Sequence, residues 1–260
     1  MKGISLALRS RIFFLTAAIW VWGYGPNVVN AADSVPKDVG HRIEKAVDAA
    51  ASESMEKLHI PGAAVIVTKG SRVVLSKGYG WADMERQVKM DPERSIVRLG
   101  SLAKPLTAAA AMQLVEKGKL SLSADINRYL AHPGMPNYKN RPITLKHLLT
   151  HTAGLDQLLY QTAARSRDST VAAEQLLYEY FGNQPPVRLP GEQMDYNNAG
   201  YGMIGLLVER AGRQPFETYM SEHIFEPLDM PTASLDSSAA PPAQLAQSYT
   251  YSQGQGYTRI

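Results

Sequence analysis

The spacing of apolar residues predicts a helix and then a β-hairpin at the start of the folded chain. Between Asp38 and Leu58, apolar side chains recur at the spacing of an amphipathic helix. Two strand-like runs follow, Ala63–Thr68 and Arg72–Lys77, and the turn sequence Lys-Gly-Ser joins them. We expect the chain to leave this hairpin at Gly78–Trp81 and to continue as a polar loop.

Helical patterns dominate the centre of the chain. An alanine-rich run begins at Pro105, which is tolerated in the first turn of a helix, and ends at Gly118, a typical C-terminal residue. Thr144 stands where an N-cap would precede the next apolar run. The helices predicted beyond the alanine-rich run are 126–130, 145–150, 170–180, 199–210 and 216–225. We therefore expect residues 119–240 to form a mostly helical lobe.

The last residues predict a second hairpin. Ser248–Tyr251 has strand character, Ser252–Gly256 is a turn sequence, and Tyr257–Ile260 resumes the strand pattern. A compact domain rarely leaves a strand edge unpaired, so we expect this chain to be truncated at its C-terminus.

The N-terminus has the pattern of a secretory signal peptide. Lys2, Arg9 and Arg11 precede a short apolar run, Ile12–Trp22, and small residues around Ala31 offer a cleavage site. The run is short for a membrane span, although an uncleaved anchor is the alternative. We expect cleavage near Ala31, no stable membrane span afterwards, and a periplasmic or secreted protein.

Charge and cysteine content exclude several function classes. The chain has 27 basic and 24 acidic residues, and the predicted signal peptide (residues 1–31) carries three basic residues and no acidic one. The mature chain would then have 24 residues of each sign, which gives no reason to expect a nucleic-acid partner. The absence of cysteine excludes disulfides, a thiol nucleophile and a cysteine-based metal site.

Ser101 and Lys104 form the first candidate catalytic motif, Ser-x-x-Lys. They stand one helical turn apart at the start of the alanine-rich helix, so the hydroxyl and the amine share a face. The unpaired N–H groups and the dipole of a helix start favour negative charge, which suits an activated nucleophile beside an oxyanion. The alternative is a capping serine and a solvated lysine, because so short a motif also occurs by chance.

Tyr196 and Asn198 form the second candidate motif. A tyrosine keeps its proton to about pH 10 and serves as a base only where a cation stabilises the phenolate. Lys104 is a candidate for that cation, and Asn198 could hold its amine while offering an N–H to substrate. Taken alone, Tyr196 would be a packed aromatic residue.

Two further patterns have structural explanations. Gly200–Gly205 matches the dinucleotide fingerprint G-x-G-x-x-G, but a helical stretch follows and no strand precedes it, so close helix packing explains the glycines better. His147 and His151 are spaced as a metal pair, yet no third ligand is evident, and core or capping roles are expected. The G-x-S-x-G motif is absent from the sequence. We predict no metal and no cofactor.

Ser101-x-x-Lys104 followed by Tyr196-x-Asn198 resembles the motifs of penicillin-recognising serine hydrolases. These are class C β-lactamases, D,D-carboxypeptidases and related carboxylesterases. Three other stretches look like this family: 120–122, 142–155 and 224–230. The resemblance implies an α+β, β-lactamase/transpeptidase-like fold in one domain over residues 32–260. It would have an antiparallel sheet lobe and an all-helical lobe, with C-terminal sheet strands missing from this chain.

The same resemblance implies an acyl-enzyme mechanism. Ser101 would attack a carbonyl, Lys104 with Tyr196 would take its proton, and Asn198 would bind the substrate. A peptidoglycan D-Ala-D-Ala peptide, a β-lactam and a simple ester all remain open as substrates, and we rank a peptidase or esterase above a dedicated β-lactamase. The family's third motif (K-T-G, H-x-G or W-x-G) has no match in a strand context within 199–260. The alternative is therefore a non-catalytic module that binds cell-wall peptide, or an inactive fragment.

Overall fold

Helices and two small antiparallel sheets make up the described part of the chain. The computed structural model describes residues 36–130, 134–155, 175, 178, 186–236 and 240–260. Its helices are α1 (Lys37–Leu58), α2 (Lys104–Glu116), α3 (Leu145–Leu149), α4 (Asn198–Gly212) and α5 (Phe216–Met220). Its strands are β1 (Gly62–Lys69), β2 (Arg72–Asp83), β3 (Val88–Lys89), β4 (Tyr249–Ser252) and β5 (Gly256–Arg259). Short 3₁₀ turns at Gly100–Ala103 and Ile126–Arg128 and a π-helical turn at Ser221–Phe225 complete them.

Two of the predicted segments fall largely outside these ranges. The expected signal peptide, residues 1–31, lies outside the described residues. So does the expected helix 170–180, except for Gln175 and Tyr178, which are helical. None of the described helices is both long enough and apolar enough to cross a membrane.

The first sheet confirms the predicted hairpin and extends it. β1 and β2 pair antiparallel from Gly62 opposite Gly80 to Lys69 opposite Arg72, with an irregularity near Val67. β2 then continues to Asp83 and pairs with β3, giving the strand order β1-β2-β3. The expectation that the chain leaves the hairpin at Gly78–Trp81 was therefore wrong.

Close backbone approach explains why glycines occupy the middle of β2. A Cβ atom on Gly78 would lie 2.0 Å from the carbonyl oxygen of Met90, and one on Gly80 would lie 2.2 Å from that of Pro61. Gly80 also has a positive φ of 64°, a conformation that glycine adopts at little cost. These glycines admit neighbouring backbone into the strand, a role that sequence alone does not distinguish from a turn.

Polar contacts fix α1 against the sheet. Lys77 on β2 places its Nζ atom 2.8 Å from both Glu44 Oε1 and Asp48 Oδ1 of α1. The hydroxyl of Tyr79 donates a hydrogen bond of 2.7 Å to the same Asp48 carboxylate. All three charged side chains are partly exposed, so each ion pair contributes little to stability but defines how α1 lies on β2.

The helical elements enclose the larger core. α2 and α4 pack against each other, and α3 and α5 pack against α4. Their fully buried side chains include Ala110, Ala111 and Leu114 on α2, Leu145 and Leu148 on α3, and Met203, Ile204, Leu207 and Val208 on α4. Between residues 119 and 240, every regular element in the described ranges is helical. The domain boundaries themselves stay a prediction.

Local signals account for the helix ends. α2 has Pro105 in its first turn, and Gly118 follows its C-terminus with a φ of 67°, as predicted. The side chain of Thr144 accepts a hydrogen bond from the backbone N–H of His147, which confirms it as the N-cap of α3. The C-terminal hairpin is also confirmed, with Tyr249 opposite Arg259 and Ser252 opposite Gly256.

We expect the substitution Leu207→Ala to lower the free energy of unfolding by about 2–5 kcal/mol, because it removes buried methyl groups and leaves a cavity between packed helices. Leu207 is fully buried, whereas Leu228 is 59% exposed and provides a control of the same residue type, Leu228→Ala. Urea denaturation of the full chain measures both variants. Equal losses for the two would contradict this assignment of the core.

Candidate active site

Ser101 lies in a 3₁₀ turn that leads directly into α2. The turn spans Gly100–Ala103, and α2 begins at Lys104 without a break in the helical backbone. Lys104 therefore follows Ser101 by one turn on the same face, and its Nζ atom donates a 3.0 Å hydrogen bond to Ser101 Oγ. Both side chains face the solvent side of the helix start.

Tyr196 and Asn198 reach the same point from the start of α4. Asn197 is the N-cap of this helix, and its buried side chain accepts a 2.8 Å hydrogen bond from the N–H of Gly200. The Tyr196 hydroxyl lies 2.6 Å from Ser101 Oγ. The Asn198 side-chain oxygen accepts a 2.8 Å hydrogen bond from Lys104 Nζ. The structure thus brings together all four residues singled out in the sequence.

The Lys104 ammonium group governs the electrostatics of this cluster. Its Nζ atom lies 4.7 Å from the centre of the Tyr196 ring as well as within hydrogen-bonding distance of Ser101 and Asn198. Hydrogen bonding from Lys104 and then from Ser101 lowers the pKa of Tyr196 below its ordinary value near 10, and the positive charge of Lys104 adds to the effect. The phenol therefore gives up its proton more readily than a tyrosine in water.

His147 and His151 each accept a hydrogen bond from a backbone N–H group. Nδ1 of His147 accepts the backbone N–H of Thr144 at 3.3 Å, which completes a capping box at the start of α3. Nδ1 of His151 accepts the backbone N–H of Asn197 at 3.1 Å, and its ring centre lies 4.5 Å from that of Tyr196. Within the described ranges, His, Asp and Glu residues form no group of three or more suited to a metal ion.

Contact between His151 and the Tyr196 segment is the feature that sequence reasoning missed. The sequence predicts a core or capping role for His151 and indicates no link to Tyr196. The one available signal was its place in the stretch 142–155, which looks like the family. Burial and the nearby charge of Lys104 lower the pKa of His151 below its ordinary value near 6.5, which favours the neutral ring.

The turn that contains His151 also supports the chain before Tyr196. Backbone N–H groups of that segment donate to carbonyl groups of the turn: Val187 to Gly154 (2.8 Å), Gly191 to Thr152 (2.7 Å) and Asp195 to His151 (2.7 Å). Arg188 adds a 2.7 Å ion pair with Asp195. These bonds hold the backbone of residues 187–195 in place, although this segment has no regular secondary structure.

The glycine pattern at Gly200–Gly205 lies inside α4. Gly205 faces the ring of Phe216, which would be 3.6 Å from a Cβ atom at that position, and Gly200 faces Leu148 and Leu155 at similar distances. Both glycines thus lie at contacts of α4 with neighbouring residues, but these are ordinary van der Waals distances that would also accommodate a Cβ atom, so close packing as the reason for the glycines stays a prediction. These glycines do not form the strand-to-helix turn that a dinucleotide fingerprint requires.

Comparison with known proteins gives the chain a family. The family model described as Beta-lactamase matches residues 47–259, which is most of the sequence. Protein flp of Staphylococcus aureus (strain MW2) is 28% identical over 189 residues, covering 72% of this chain. PbpX of Bacillus subtilis (strain 168) is 34% identical over 179 residues, covering 69% of this chain.

A solved structure with the same fold supports the match. The octameric penicillin-binding protein homologue from Pyrococcus abyssi superposes with a TM-score of 0.71 at 25% identity, covering 83% of this chain. This chain spans 50% of that structure, 37% of protein flp and 42% of PbpX, so it corresponds to about half or less of each relative.

We expect the pKa of Tyr196 to rise when Lys104 is replaced by methionine, because the phenolate loses its nearby cation and hydrogen-bond donor. Tyrosine ¹³Cζ NMR of the full chain measures this titration, with Tyr196→Phe to assign the resonance. Lys77→Met is the control, since Lys77 pairs with Glu44 and Asp48 on α1 rather than with the Ser101 cluster. An unchanged Tyr196 titration in Lys104→Met would contradict the electrostatic role of Lys104.

Proposed function

The chain belongs to the β-lactamase family, and from this premise we propose that it is a serine hydrolase that forms an acyl-enzyme on Ser101. Membership supports serine hydrolase-type activity in general. The observation that carries the assignment of Ser101 is the continuous set of contacts from the Tyr196 hydroxyl to Ser101 Oγ, to Lys104 Nζ and on to Asn198 Oδ1. It supplies a nucleophile, a base and a cation within one hydrogen-bonded cluster.

In the proposed acylation step, Ser101 Oγ attacks the carbonyl carbon of an ester or amide while its proton passes to the Tyr196 phenolate. The lowered pKa of Tyr196 supports this role, because the phenolate is more accessible near neutral pH. The tetrahedral intermediate then collapses. Its bond to the leaving group breaks, and Tyr196 returns the proton to the departing alkoxide or amine.

Deacylation repeats the sequence with water. Tyr196 takes a proton from the attacking water, a second tetrahedral intermediate forms, and the ester bond to Ser101 breaks as the proton returns to Oγ. The backbone N–H of Ser101, at the start of the turn into α2, is the proposed donor to the developing oxyanion. Lys104, which donates hydrogen bonds to Ser101 Oγ and Asn198 Oδ1, is proposed to stabilise the phenolate and the position of Asn198.

The proposed substrates are carboxylic esters and amides whose acyl group can reach an exposed serine. Asn198 fixes the Lys104 amine through its oxygen, which leaves its NH₂ group as the proposed donor to the substrate. A D-Ala-D-Ala-type peptide or an ester ranks above a β-lactam as the dedicated substrate. Acylation is common to all three classes, whereas rapid hydrolysis of a penicilloyl-enzyme requires a further specialised step.

We expect the full chain to gain one covalent acyl group when exposed to p-nitrophenyl acetate or benzylpenicillin, and Ser101→Ala to gain none. Intact-mass spectrometry measures both. Ser54→Ala is the matched control, because Ser54 lies on an exposed face of α1 and should acylate as the parent does. Tyr196→Phe should slow acylation by about 10²–10⁴-fold, the usual contribution of a general base.

The decay of the adduct separates the two functions under consideration. An acetyl group that is released by water supports a hydrolase, while an acetyl adduct that persists supports a penicillin- or peptide-binding module without turnover. The penicilloyl adduct tests acylation only, because a peptidase or esterase would also release it slowly. A parent chain that is folded by circular dichroism yet takes up no acyl group would refute the proposal. So would an adduct of equal yield on Ser101→Ala.

A further inference from the structure

We propose that His151 is a positioning residue that holds the phenol of Tyr196 against Ser101, an inference that rests on the proposed function. Each residue next to Tyr196 in the chain is bonded to His151. Its carbonyl oxygen accepts the N–H of Asp195 at 2.7 Å, and its Nδ1 atom accepts the N–H of Asn197 at 3.1 Å. Tyr196 stands between these two bonded residues in the chain, and its ring lies against the imidazole, with ring centres 4.5 Å apart.

The backbone of His151 is adapted to this arrangement. Its φ of 56° is in the left-handed region, which few residues other than glycine adopt. In this conformation both its carbonyl group and its side chain bond to the same short segment. A strained conformation persists where the surrounding contacts determine it, and here those contacts are the bonds on either side of Tyr196.

The bonds from Asp195 and Asn197 to His151, together with the ring contact to Tyr196, form what we call the clamp. The clamp requires a neutral imidazole. Nδ1 accepts the Asn197 N–H only while it carries no proton, which places the proton of the neutral ring on Nε2. A protonated ring would direct two N–H groups at each other and break this bond. It would also place a second positive charge near Lys104, whose Nζ atom lies on the Tyr196 and Tyr201 rings at 4.7 Å and 5.6 Å from their centres.

The groups around His151 determine the direction of its pH dependence. Lys104 faces it from α2, Tyr201 from α4 and Tyr196 from the preceding segment. In that segment Asp195 donates its backbone N–H to the His151 carbonyl, while its carboxylate pairs with Arg188. Burial and the Lys104 charge lower the pKa of His151 below the value near 6.5 that it has in an unfolded chain. As pH falls below 6.5, the unfolded chain binds the proton first, so folding stability decreases until the pH passes below the lowered pKa.

The test compares two substitutions that remove different parts of the clamp. His151→Asn keeps a side-chain acceptor and tolerates the left-handed backbone, but it cannot titrate. His151→Phe keeps a ring beside Tyr196 and loses the acceptor. His147→Asn is the matched control, because His147 caps α3 one turn earlier and does not contact Tyr196.

The acylation rate by p-nitrophenyl acetate is measured in single turnover from mildly acidic to alkaline pH. In the parent and in His147→Asn, the acylation rate should fall with the first power of proton concentration while only Tyr196 titrates. Below the pKa of His151, where the histidine is protonated as well, the rate should fall with the second power. His151→Asn should stay first order, because only Tyr196 then titrates. His151→Phe should be slower at every pH, by up to about 10²-fold, as expected for a misplaced base. An identical acid limb in the parent and His151→Asn would overturn the proposal, as would a folded His151→Phe that acylates as fast as the parent.

A second measurement tests the clamp without turnover, so that its failure can be separated from failure of the proposed function. The ¹³Cζ resonance of Tyr196 should shift when His151 titrates in the parent, and this shift should be absent in His151→Asn. If the chain is never acylated but the Tyr196 resonance shifts, the proposed hydrolase function is refuted while the proposed contact between His151 and Tyr196 is supported. The ionisation of His151 is followed by ¹⁵N NMR. If the Tyr196 resonance does not change as His151 ionises, the clamp is refuted, whether or not the chain is acylated.

Discussion

The contact between α2 and α4 is the constraint on which the site depends. Lys104 on α2 donates to Ser101 within its own segment and to Asn198 at the start of α4, at 3.0 Å and 2.8 Å. The second bond exists only because buried side chains of the two helices, such as Leu114 and Leu207, hold their ends at this separation. The tight core therefore sets the geometry of an exposed polar cluster.

The two halves of the cluster are supported in different ways. Ser101 and Lys104 belong to a helix start, where the regular backbone alone places them on one face. Tyr196 belongs to a segment without regular structure, and its position relies on hydrogen bonds to the turn at His151 and on the Asn197 cap. This segment is consequently the part of the site most sensitive to its surroundings, and the charge state of one histidine is enough to affect it.

Much of the fold was predictable because its signals are local. Pro105 and Gly118 act through their own backbone and Thr144 through a side-chain bond to a residue three positions away, and the sequence predicted all three roles correctly. The continuation of β2 through Gly78 was not predictable, since it depends on a carbonyl group from Met90 that passes close to the strand.

In the site, as in the fold, contacts between residues close in sequence were predictable from local patterns and contacts between distant residues were not. The proximity of Ser101 to Lys104 follows from helical spacing, while their contact with Tyr196 was expected through the resemblance to a family. The bond of His151 to Asn197 spans 46 residues and depends on a left-handed backbone, and neither is visible in a residue pattern.

The hydrogen bond between Ser101 and Tyr196 closes a loop of 95 residues, whereas Ser101 and Lys104 are three residues apart. Local contacts form early in folding, and contacts between distant residues form later because the loop between them must first lose its conformational entropy. On this argument Ser101 would contact Lys104 as soon as α2 forms, and would contact Tyr196 only once α4 has docked. Reactivity toward an acyl donor would then appear only at the end of folding. Acylation of Ser101 would therefore report that the native state is complete.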